Sequence, residues 1–232
     1  MFGNEPTLFV FRGIFGIRVE VRQSLVLLAL LYVVLSVGSM QGLIDALITV
    51  GLIVLSIYLH ELGHAWGCRV QGVPVERIVI FGGGGFCEHR RSSARQDELI
   101  VAMGPIVNLI LWAISSIWVN SVVGGLTSLR DLTPVMAELL YWANLVALIN
   151  IALFFFNMVP VQPLDGGKLF YLGLLRVMPA GRALRLAGTV GVVFCVLWWP
   201  GLFALYWLTG WLLLFAPSFR QHLAMMRGQI GG

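Results

Sequence analysis

An all-α polytopic membrane protein carrying a small membrane-associated β-sheet is what this sequence predicts, on three observations. Of its residues 59% are hydrophobic and 11% charged, with a mean hydropathy of +0.90, whereas a soluble domain carries roughly 25% charge. The apolar residues gather into runs of the length needed to cross a hydrocarbon layer of about 30 Å. Two stretches, around residues 11–22 and 73–81, alternate instead with the period of half-buried strands. This composition excludes a soluble domain. The net charge of +4 and pI near 9.3 do not imply nucleic acid, because the arginines lie in loops, where they report orientation. Cys68, Cys87 and Cys195 are too scattered for a disulfide framework, so free thiols are expected.

Each element follows from local chemistry. From Phe11 to Arg22, Ile17, Val19 and Val21 fall on one side of a strand and Arg18, Glu20 and Arg22 on the other. Leu25 to Val37 is the first span; a signal-peptide core is the alternative, but the strand-like region before it favours retention. The second span runs from Leu43 to Trp66, with Asp45 near its outer end. Val73 to Phe81 reads as β, and Gly82 to Gly85 as a flexible turn or bulge.

Ser93 and Gln96 form a capping box that opens a third helix reaching about Val123, with Pro105 and Asn108 inside it. Thr133 caps, and Pro134 opens, a fourth helix to about Met158, ended by Pro160 and Pro163. After the broken segment from Asn157 to Gly167, a short amphipathic helix spans Lys168 to Val177, stopped by Pro179. The last apolar block, Ala183 to Ala216, has Pro200-Gly201 at its centre and reads as a hairpin of two short helices; one long kinked helix is the rival.

With six spans, all but Arg130 of the fifteen Lys and Arg residues fall on the N-terminal side. The positive-inside rule then puts both termini in the cytoplasm, at a plasma (inner) membrane. A single kinked last helix would carry Arg220 and Arg227 to the other side. The chain is read as one membrane-embedded domain, 1–232, comprising an N-terminal strand region (1–23), a transmembrane core (24–216) containing the β-region (72–90), and a cytoplasmic tail (217–232).

Chemistry concentrates at His60-Glu61-Leu62-Gly63-His64. Helix residues four apart stack one turn above each other, so His60 and His64 can present two imidazoles to one zinc ion with Glu61 beside them. At 1.5 Å of rise per residue, His60 lies roughly 25 Å along from Leu43, toward one membrane face. Two histidines that merely face each other are the alternative, but ionisable groups in a membrane span are costly to bury and mark function.

A catalytic zinc needs a third protein ligand and an open position. Cys68 is about 12 Å of helical rise from His60, too far for one ion. Glu88, Asp97 and Glu98 read as solvated charges, and Glu138 lies toward the outer end of its helix. Asp165 remains, in a proline-bracketed break followed by two glycines; its alternative is a cap for the Lys168 helix. Asn108 alone would read as a helix-to-helix hydrogen bond.

Taken together, the HELGH motif in a membrane helix, Gly104-Pro105-x-x-Asn108 on the next, and Asn157-x-x-Pro160-x-x-x-Leu164-Asp165-Gly166-Gly167 later resemble the site-2 protease family of intramembrane zinc metalloproteases, from the strand before the first span through Lys168. The resemblance implies one Zn2+ per chain held by His60, His64 and Asp165, with Glu61 as catalytic base and Asn108 and Asn157 lining the site for substrate or oxyanion. It implies a membrane-embedded sheet beside the site and a transmembrane protein substrate within the lipid bilayer. A separate regulatory protein is compatible with it. PDZ and CBS domains, which many members carry, have no counterpart here, so a minimal form is expected.

Two rivals stand beside this reading. A prenyl-protein-processing type of zinc protease would take a glutamate from a later helix as third ligand, and a transporter or zinc-binding scaffold would need no base at Glu61. The remaining polar groups read blandly. His89 and His222 belong to exposed loop and tail, Cys87 and Cys195 to packing, Asn144 and Asn150 to helix bridging, and Trp198, Trp199, Trp207 and Trp211 to interfacial anchoring or packing.

Overall fold

The computed structural model describes residues 5–36, 39–128, 132–209 and 215–229. Arg130 and Trp211, used in the charge and anchoring arguments, lie outside them. The chain forms two compact units, residues 1–92 with 103–154, and residues 93–102 with 155–232.

The first unit is built on a four-stranded sheet of order β1-β2-β3-β4 (β1 Thr7–Arg12, β2 Arg18–Arg22, β3 Val75–Phe81, β4 Gly84–His89). The single strand expected from Phe11 to Arg22 is two. The chain reverses through a 3-10 turn at Ile14–Gly16, where Phe15 and Gly16 take positive φ, so β1 and β2 pair antiparallel. β2 runs straight into helix α1 (Gln23–Ser36), and α2 (Met40–Val70) leads back through a short turn to β3. This helical crossover is what allows β2 and β3 to pair in parallel, with Val19 opposite Ile78. Gly82 and Gly83 turn the chain into β4, which starts at Gly84 inside the stretch expected to be a flexible turn.

On the sheet's polar side Glu20 and Arg22 are buried while Arg18 reaches solvent. Glu20 is 2% exposed and pairs with Arg18 at 2.9 Å, Arg22 at 3.0 Å and Arg77 at 3.1 Å. Arg22 also donates to the Glu5 carbonyl at 2.8 Å, drawing the start of β1 in. On the apolar side Val19, Ile78 and Ile80 pack on Ala65 and Leu62 of α2, so the sheet is seated against the helical turn that carries the two histidines. The Tyr58 hydroxyl accepts the Ile14 amide at 3.1 Å and holds the β1–β2 turn to the same helix.

Ser39 caps α2, accepting the Gly42 amide at 3.1 Å, so this helix begins before the expected Leu43. The capping box of α3 (Ala94–Gly124) forms as read, Ser93 Oγ accepting the Gln96 amide while Gln96 Oε1 accepts the Ser93 amide. Thr133 Oγ1 accepts the Met136 amide at the start of α4 (Pro134–Asn157).

In the second unit α5 (Asp165–Leu175) is tied to the start of α3, with Lys168 3.2 Å from Asp97 and Arg176 paired with Glu98. The break expected at Pro200-Gly201 within residues 183–216 is absent: one helix, α6 (Ala180–Thr209), runs through Pro200, and residues 210–214 of that block lie outside the described residues. Short α7 (Phe219–Met226) then lies back along α6, and Gly228 reaches the side chain of Arg185. Arg227 therefore returns to the end of α6 where Arg182 and Arg185 lie, although the return leg is not a membrane-length helix.

Among the described residues, four helices (α2, α3, α4 and α6) are long and apolar enough to cross a membrane, with α1 a shorter apolar helix, in place of the six spans expected. Trp199, Trp207 and Leu208 are each at least two-thirds exposed, an apolar surface suited to lipid.

Candidate metal centre

The α2 turn that packs Leu62 and Ala65 on the sheet turns His60 and His64 toward α3. Both histidines and Glu61 are buried, at 5%, 7% and 4% exposure. The two Nε2 atoms lie 3.1 Å apart. A tetrahedral zinc with nitrogens at 2.0–2.1 Å holds such a pair about 3.3 Å apart, so these nitrogens already stand where one ion needs them. Ligand atoms of His60, Glu61 and His64 all fall within 4.8 Å of one another. Gly104 keeps the space before both rings open. A Cβ there would come within 2.7 Å of His60 Nε2 and closer still to His64 Nε2.

A chain of buried hydrogen bonds decides which His60 nitrogen is bare. The Val146 carbonyl, which can only accept, takes a bond from Asn150 Nδ2 at 2.9 Å, and Ser56 Oγ takes another at 3.1 Å. Asn150 must then offer its oxygen to Asn108, whose Nδ2 donates at 2.8 Å. Asn108 in turn presents its oxygen to His60 Nδ1 at 2.5 Å. His60 Nδ1 therefore carries the proton and Nε2 keeps its lone pair for a metal, the arrangement that orients a histidine ligand. Asn108 and Asn150 are both fully buried. In this structure Asn108 holds a histidine; the role expected for it was to bind substrate or oxyanion.

Glu61 meets strand β4. A Cβ on Gly85 would lie 2.7 Å from Glu61 Cγ and 2.8 Å from its Oε1, so only glycine lets the strand pass this close. Cys87, two residues on, packs against the Ala65–Ile78 core, and a hydrogen bond to the Cys68 thiol together with burial pushes its thiol pKa well above the usual range.

The second unit holds the remaining predicted residues. Asn157 is the last residue of α4, and Asp165 is the first of α5. Leu164 is the N-cap of α5, and Asp165 lies in the first turn of that helix. His222, expected in an exposed tail, is 1% exposed. His89 ends β4, Asn144 is exposed on α4, and Trp198 Nε1 donates to the Phe215 carbonyl at 2.7 Å.

Sequence reasoning passed over Ser56, Gly85 and the orienting role of Asn150. Ser56 carried a signal, since it lies four residues before His60 on the same helical face. Gly85 and Asn150 carried none, because their roles depend on which strand and which helix lie opposite.

A family model described as peptidase family M50 matches residues 48–138 and 113–198. Stage IV sporulation protein FB of Bacillus subtilis is 26% identical over 170 residues, 72% of this chain and 53% of its own length. Zinc metalloprotease MJ0392 of Methanocaldococcus jannaschii is 26% identical over 178 residues, 77% of this chain and 49% of its own length. The chain thus spans about half the length of these two curated relatives. Among solved structures, a site-2 protease from Methanocaldococcus jannaschii shares the fold, with a TM-score of 0.58 and 22% identity over 95% of this chain and 92% of that one.

Proposed function

The chain belongs to peptidase family M50, the site-2 protease family, and from that premise we propose that it is an intramembrane zinc metalloprotease that hydrolyses peptide bonds within or near transmembrane segments of other membrane proteins. The observation that carries this reading is the pair of His60 and His64 Nε2 atoms 3.1 Å apart, with Glu61 beside them and Gly104 leaving room for an ion. His60, His64 and Asp165 would hold one zinc per chain. Bound there, zinc supplies a water that ionises near neutral pH and a Lewis acid for the peptide carbonyl.

Glu61, buried and next to the ring pair, takes the proton of the attacking water and then delivers it to the leaving amine. Asn108 keeps His60 in its tautomer, and Asn157, at the end of α4, contacts the substrate backbone. The substrate helix must unwind first, because an intact helix hides its carbonyls in internal bonds. The unwound segment would add to the outer edge of β4, the last strand of the sheet among the described residues, whose Gly85 approaches Glu61, giving affinity with little side-chain selection.

The arginine distribution supports a site and both termini on the cytoplasmic side of a plasma (inner) membrane, within one protease domain spanning 1–232. Cleavage of candidate single-span proteins in proteoliposomes, run beside zinc analysis, tests the reading. Glu61→Gln should lose activity by roughly 10²-fold or more while keeping its zinc. A Glu61→Gln protein that cleaves at the native rate refutes it and favours a zinc-binding transporter or scaffold.

A further inference from the structure

Outside the metal centre, the most completely buried histidine or charged side chain among the described residues is His222, on a helix of eight residues whose other polar side chains face outward. Its ring is seated in a notch cut by glycines on α6. A Cβ on Gly191 would run into the ring, and one on Gly188 into the Met225–Met226 backbone, so only at these glycines can α7 lie this close. Cys195 Sγ closes the pocket 3.6 Å from Nδ1.

The partners fix the ring's proton. Nδ1 lies 2.8 Å from the Ser218 carbonyl, which only accepts, so Nδ1 is the N–H donor. Nε2 is then an acceptor, and it receives the backbone amide of Gln162 at 3.1 Å. The neighbouring Gln221 donates to Gln162 Oε1 at 3.1 Å. α7 therefore grips Gln162 by both main chain and side chain.

Gln162 sits in the segment that leads to Asp165, and this segment is folded tightly on the start of α5. A Cβ on Gly167 would fall 2.5 Å from Gln162 N and 2.6 Å from the Val161 carbonyl, and one on Gly166 would fall 2.6 Å from the Val159 carbonyl. Val161 is fully buried and Leu164 is 7% exposed, so a displacement of Gln162 is passed on to the first turn of α5. From this geometry we infer that His222 is a positioning residue for the loop 158–165, with α7 acting as a clamp that holds Asp165 ready as a metal ligand. The second half of the inference rests on the proposed zinc function; the first half does not.

The test uses the full chain in detergent or nanodiscs. Hydrogen exchange is read at the Gln162 amide and across 158–165 in zinc-free protein, and zinc affinity is read by competition with a chelator. His222→Phe, which fills the notch but cannot accept the amide, should speed exchange in the loop about tenfold and weaken zinc by about 10–100-fold. His222→Gln, which carries an acceptor near the position of Nε2, should restore both. If His222→Phe gives too little folded protein, Gln221→Ala removes only the exposed half of the grip and should move both readouts in the same direction by less. Unchanged loop exchange in a folded His222→Phe protein overturns the inference. Asp165→Ala separates the two layers: unchanged zinc affinity there refutes the ligand assignment and the second half of the inference, while exchange still reports on His222 as the clamp.

Discussion

Replacing Asn108 distinguishes two roles for one side chain. If it orients His60, Asn108→Ala removes the acceptor of the Nδ1 proton at 2.5 Å and the donor to Asn150 at 2.8 Å in a fully buried place. Each group left without its bond costs about 1–3 kcal/mol. The ring is then free to rotate or change tautomer, and zinc affinity should fall by about 10–100-fold, about 1.4–2.7 kcal/mol. If Asn108 instead stabilises the oxyanion, zinc affinity is untouched and kcat falls by about 10²–10³ at saturating zinc. Asn108→Asp keeps the acceptor toward Nδ1 and should bind zinc far better than Asn108→Ala. The assay is a chelator-competition titration on purified protein, paired with kcat at saturating zinc. Asn108→Ala that binds zinc within about twofold of the native protein would refute the orienting role.

Other outcomes follow from the same geometry. Gly104→Ala should abolish high-affinity zinc binding while the protein stays folded, because the new methyl would stand within 2.7 Å of His60 Nε2; zinc titration beside a thermal melt checks it. Cys87, with its thiol pKa raised, stays protonated at pH 8, so alkylation should be much slower than for a free thiol of pKa about 8.5 and should still be accelerating with pH above that value; a mass-spectrometric time course measures it. Reporter fusions at residues 1 and 232 should both read cytoplasmic, since α7 returns to the Arg185 end of α6; opposite readings would overturn the proposed orientation.

How far the sequence reached depended on range. Capping signals act over three or four residues, so the starts of α3 and α4 were legible from Ser93, Gln96, Thr133 and Pro134. The His60–His64 pairing needed only the pitch of one helix. The strand pattern was visible, but its interruption at Phe15 and Gly16 was not, because alternation continues across a tight turn. The last apolar block was misread because Pro200 in a membrane helix looks like a hairpin tip, while a helix surrounded by lipid or protein can carry it through.

Sequence by itself determined that this is a membrane protein with two histidines and a glutamate on one helical turn, since composition and helical spacing are properties of the chain alone. Tertiary structure decided what those groups meet: Gly104 opening the space before the rings, Asn150 and Asn108 setting the His60 tautomer, Gly85 bringing β4 to Glu61, and His222 gripping the segment before Asp165. Each is a contact between residues at least 24 positions apart in the chain, and hydrogen bonds and close approach at that range depend on packing, which no local pattern encodes.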